Sequence, residues 1–117
     1  MGPWLVDVRT RDELDRWLGG NPPTTYTPVL MVVRGDGPTV REFLPNALDA
    51  AKLDDRRVVV WIKDLAMLRP SEMTDLFGDD GEVLGAVLNG DGSVAACVYP
   101  DRLEVGDADF AFSTARD

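Results

Sequence analysis

Few side chains in this chain could carry chemistry. None of its 117 residues is a histidine. That removes the commonest general base, the commonest metal ligand and every nucleophile–imidazole arrangement, leaving only carboxylate, lysine, tyrosine or thiol chemistry. The single cysteine, Cys97, sits between Ala96 and Val98 in an apolar run and reads as a small buried hydrophobe. A reactive thiolate needs a cation or a helix N-terminus beside it, and the nearest basic residue downstream is Arg102. A thiol-dependent redox role for Cys97, working with a glutathione-like cosubstrate, stands as an alternative.

Gly35-Asp36-Gly37-Pro38-Thr39 lies between an apolar run and the start of a helical pattern. Free amides at such a junction can hold an anion. This segment lacks the Gly-Lys-Ser/Thr of a phosphate loop, Pro38 deletes one amide, and Asp36 repels a phosphate, so a plain strand-to-helix turn is expected. Asp79-Asp80-Gly81-Glu82 and Asn89-Gly90-Asp91-Gly92 do not have the spacing of a calcium loop; Asn, Asp and Gly there suit tight turns that need positive φ. Trp4, Trp17 and Trp61 fall at apolar-face positions and read as core. No cofactor and no metal site is expected.

The charge balance is 21 acidic against 12 basic residues, a formal −9. Phosphate-backbone binding draws on clustered Lys and Arg, and no basic stripe is present, so no nucleic-acid partner is expected. The acidic excess favours solubility, and it also fits a basic protein partner. No apolar run approaches the roughly 18 residues of a membrane span. The first residues, from Met1 to Arg9, lack a basic segment followed by a long apolar stretch, and one cysteine permits no internal disulfide. A cytoplasmic location without membrane association is the expectation.

The elements that must position these residues can be read from periodicity. A short strand is expected at Trp4–Val8. A helix then starts at Thr10 with Glu13 three residues on, carries Leu14, Trp17 and Leu18 on one face, and stops at Gly19-Gly20. Residues 21–27 read as a Pro- and Thr-rich loop. Pro28–Val33 and Val58–Ile62 are continuous apolar runs of the kind that form strands covered on both faces. Between them a helix runs from Thr39 to about Leu53, with Pro45 expected to kink it or mark its true start. Pro70–Phe77 reads as a short helix ended by Gly78, and Val83–Leu88 and Ser93–Tyr99 as a hairpin around Asn89–Gly92. In the tail, Leu103 and Val105 suit a last edge strand, Phe110 and Phe112 dock on the body, and residues 113–117 fray. The small residues Ala95 and Ala96 call for something packed closely against the last hairpin strand. The whole chain, 1–117, reads as one α/β domain in the order β-α-β-α-β-α-β-β, with a mixed central sheet.

This order resembles the thioredoxin-like fold. Pro28–Val33 running into Gly37-Pro38 is similar to that family's central strand and its redox-motif Gly-Pro. Val58–Asp64 resembles the third strand with its acidic residue. Ser71–Gly78 followed by the Val83–Leu88 and Ser93–Ala96 hairpin resembles the short helix and closing hairpin. The departures fall on the chemistry: Asp36 and Thr39 stand where the family has its two cysteines, and Gly81-Glu82-Val83 carries no proline where the family has a cis-proline. The family's terminal helix is not evident in 102–117. The resemblance therefore implies a redox-inactive scaffold.

The expected function is non-catalytic protein binding on that scaffold. The expected surface is Asp36, Gly37, Pro38 and Thr39 with the acidic loop residues Asp79 and Asp80. A small acidic inhibitor of the phage or immunity type, seated in a basic site of its target, is the second reading. The last strand also leaves an edge on which a homodimer could form.

Overall fold

The computed structural model describes residues 4–19, 27–79 and 81–116. The loop expected at 21–27 lies outside them except for Thr27, as do Asp80, Gly20 and residues 1–3. Among the described residues five strands and four α-helices follow in the order β1 (Leu5–Val8), α1 (Arg11–Leu18), β2 (Val29–Arg34), α2 (Pro38–Ala51), β3 (Arg57–Ile62), α3 (Pro70–Phe77), β4 (Gly85–Leu88), β5 (Val94–Val98) and α4 (Val105–Ser113). A single 3-10 turn, Leu65–Met67, precedes α3.

The strands form one sheet in the order β1-β3-β2-β4-β5. β1 and β2 both run parallel to β3, with Val8 opposite Ile62 and Val32 opposite Val60. β4 is antiparallel to β2, and β5 to β4. β2 and β3 are central and buried on both faces, which is why their sequences are unbroken apolar runs. Alternation assigns their side chains. Met31, Val33, Val59 and Trp61 join Phe43, Leu44 and Ala47 of α2 and Ala108, Ala111 and Phe112 of α4. Leu30, Val32, Val58, Val60 and Ile62 join Leu14 and Trp17 of α1 and Leu76 and Phe77 of α3 on the other face.

Local signals explain most boundaries. The Thr10 side chain accepts a hydrogen bond from the Glu13 amide, and the Glu13 carboxylate accepts one from the Arg9 amide, closing the start of α1. The Gly19 amide reaches Asp15 O at 2.7 Å and ends it. α3 begins at Pro70 and ends at Gly78, whose φ of 72° lies in the left-handed region.

Three expectations are corrected. Pro45 neither starts nor breaks α2, which runs unbroken from Pro38 to Ala51 with Pro45 exposed on its outer side. Leu103 and Val105 do not form an edge strand: 105–113 is helical, and α4 is the element that packs over Ala95 and Ala96. The tail through Arg116 is tied down, because the Arg116 amide donates to Asn89 Oδ1 and its carbonyl accepts from the Gly90 amide.

Candidate functional site

The carboxyl ends of the parallel strands converge on the β2–α2 turn. Gly35 adopts φ 89°, a conformation that side chains resist, and so lets the chain turn out of β2 toward α2. Its amide donates to Ile62 O, and its carbonyl accepts the Trp61 indole N–H at 2.7 Å. Trp61 is thus core, as expected, and also pins the turn. Arg41, one turn into α2, pairs with Asp36 at 2.7 Å across the exposed turn. Arg41 and Lys63 both lie over the Trp61 ring, at 5.8 and 4.5 Å. Lys63 also pairs with Asp7 at 3.2 Å. The turn is therefore fixed from two sides, by β3 and α2, and Lys63 links Trp61 to Asp7 of β1.

Beside this turn lies an open groove of about 730 Å³. Thr39 forms one wall. Gly81 and Glu82, just before β4, form the second; Tyr99, Pro100 and Arg102, just after β5, form the third. The second wall is positioned by Arg34 at the end of β2: its Nε donates to Val83 O at 2.9 Å and its guanidinium lies 4.7 Å from the Phe77 ring centre. Gly81 has φ 72°, which fits the turn expected there. Tyr99 supplies the exposed aromatic surface of the groove.

Of the residues singled out in the sequence, Asp36, Gly37 and Pro38 are exposed at the turn and Thr39 enters the groove. Asp79 is exposed but is not among the groove's lining residues, and Asp80 lies outside the described residues. Tyr99, Pro100 and Arg102 were not foreseen. They are sixty residues from Thr39, and only the sheet order β2-β4-β5 makes them neighbours. The one signal was an aromatic–proline pair at the end of an edge strand.

Cys97 is exposed, which overturns its reading as a buried hydrophobe. It pairs with Ala86 and so shares the α1–α3 face, on the outermost strand of the sheet. It does not line the groove. Trp17 is buried and Trp4 half-buried against the α2–α4 core.

A second polar constellation joins α1 to α3. Arg11 grips Glu72 with two hydrogen bonds, of 2.6 and 2.7 Å, and also reaches Asp15 and Met67 O. The Arg11 guanidinium holds the Glu72 carboxyl well below its usual range, at about 2, and burial opposes that shift only in part. Glu72 in turn accepts the Arg69 amide at the start of α3. This cluster ties two helices together at the rim. In the Asn89–Ser93 hairpin, bonds from the Ser93 hydroxyl and amide lower the Asp91 carboxyl in the same sense.

Among the described residues no group of three or more Cys, Asp or Glu could hold a metal ion. No helix among them is long and apolar enough to cross a membrane. No protein-family model, no curated protein and no solved structure matches the chain.

Proposed function

We propose that this chain is a non-catalytic protein-binding domain on a thioredoxin-like scaffold, and that it binds through the groove beside the β2–α2 turn. Four features support the scaffold. They are the order β1-β3-β2-β4-β5, the parallel first three strands, the antiparallel last two, and a terminal helix lying with α2 on one face while α1 and α3 take the other.

One observation carries the function. The groove is walled by the first turn of α2 and two loops and offers an exposed tyrosine, a proline edge, a threonine, an arginine and the carboxylates of Glu82 and Asp101, and its lining contains no thiol. Such a mixture of aromatic surface and hydrogen-bonding groups on a rigid frame suits recognition of a protein surface. Asp36 stands at a position where the resembled family attacks disulfides, and here it is neutralised by Arg41. A carboxylate is no substitute for a thiolate in that chemistry.

Affinity capture from a cell of the source organism tests the reading. Wild type should retain a partner that Tyr99→Ser together with Thr39→Trp loses and Cys97→Ser keeps. Equal capture by the groove variant, or loss on changing Cys97 alone, would refute the proposal.

A further inference from the structure

Phe110 is the most exposed large apolar side chain among the described residues, 73% accessible, although α4 already supplies Ala108, Ala111 and Phe112 to the core. It stands on the outer side of α4. Gly106, one turn before it, opens onto free space, and Ser113 follows one turn after. Leu53, 66% accessible, lies just beyond α2. Arg57 joins the two sites. Its guanidinium is nearly buried, bonds Ala50 O near the end of α2, and pairs with Asp109 of α4 at 2.6 Å. Leu53 is three residues beyond Ala50, and Phe110 is next to Asp109, so the clamp ties together the two segments that carry these exposed apolar side chains.

The charge of the two segments that carry them is mainly negative. With Arg57 and Asp109 neutralising each other, Asp49, Asp54, Asp55, Glu104 and Asp107 remain against Lys52 and Arg56. From Glu104 to Ser113 there is no basic residue at all. A second copy of this chain would set these carboxylates against their own counterparts, since a two-fold contact pairs a surface with itself. The chemistry selects the opposite charge.

We infer that the outer surface formed by α4 and the end of α2 is a second docking surface. Its occupant is a basic amphipathic protein segment that covers Phe110 and Leu53 with an apolar side chain and meets the surrounding carboxylates with Lys or Arg. This surface lies on the helical layer, apart from the groove, and does not depend on the groove being a binding site. Apolar anchors inside a charged rim give such a contact its affinity, and the rim gives it salt dependence.

The test is a titration of the full chain with a fluorescein-labelled amphipathic helical peptide of lysine and leucine, read by anisotropy. Saturable binding is expected, weakened about tenfold by Phe110→Ser and about tenfold again by raising the salt to roughly molar strength. Thr39→Trp in the groove should leave it unchanged. Phe110 is exposed, so its variant should melt with wild type, which separates lost docking from lost folding. Equal binding by Phe110→Ser, equal binding of a glutamate–leucine peptide, or Phe110-dependent dimerisation of the free protein would each overturn the inference.

Discussion

The two faces of the sheet are closed by different means. On one, α2 and α4 come close through small residues: Ala47, Ala50 and Ala51 of α2 and Ala108 and Ala111 of α4 are all buried. Phe43 fills the space between them and the sheet. On the other face, α1 and α3 have only eight residues each. They bury larger side chains, Leu14, Trp17, Leu76 and Phe77, and are clipped to one another by Arg11 and Glu72. Close steric fit, with the Arg57–Asp109 pair beside it, holds the first layer; in the second an Arg11–Glu72 pair at the rim joins two short helices. The alanine-packed layer should respond most to changes of volume, and the layer with the lowered Glu72 carboxyl to acid pH.

The largest expected effect is on the close-packed layer. Ala108 has no exposed surface, so Ala108→Leu forces extra volume into the α4–sheet contact and should cost about 1–3 kcal/mol. Urea unfolding followed by tryptophan fluorescence reads this as a lower midpoint. An unchanged midpoint would mean that α4 sits loosely and that the contrast between the faces is false.

The next effect belongs to the other layer. Glu72 has a folded-state pKa of about 2, below its value in an unfolded chain. Its contribution is therefore fully present above roughly pH 4.5 and is lost as pH falls toward 2. Both partners are partly exposed, which limits the pair to about 1–2 kcal/mol after solvent screening. Glu72→Gln should lower stability by about that amount at pH 7, and the gap to wild type should close as the pH approaches 2. A gap that persists at low pH would assign the loss to packing and not to charge.

The legibility of the sequence followed the same division. The buried strands β2 and β3 were plain, because burial on both faces leaves no polar position to confuse the pattern. α1 was plain because Thr10 and Glu13 mark its first turn. α4 was not. Its inner side is Ala108, Ala111 and Phe112, while Phe110 stands outside, so its two phenylalanines, two residues apart, point to alternation instead of a helical stripe. The exposure of Cys97 was hidden for a related reason. β5 is an edge strand with an irregular register against β4 near Val87 and Leu88, and most of its apolar side chains pack on the α2–α4 face, away from Cys97. Of the expected surface residues Asp36–Thr39, only Thr39 lines the groove. The rest of its lining comes from residues before β4 and after β5, which sequence distance conceals and sheet order supplies.

The most direct test of the binding reading compares the two faces by crosslinking. A photoreactive benzophenone side chain is placed at position 39, in the groove, or at exposed position 71, on α3, and each protein is irradiated in lysate of the source organism. A discrete higher-mass adduct from position 39 that is absent from position 71 is the predicted result. Adducts of equal yield from both positions, or none from position 39, would contradict the account.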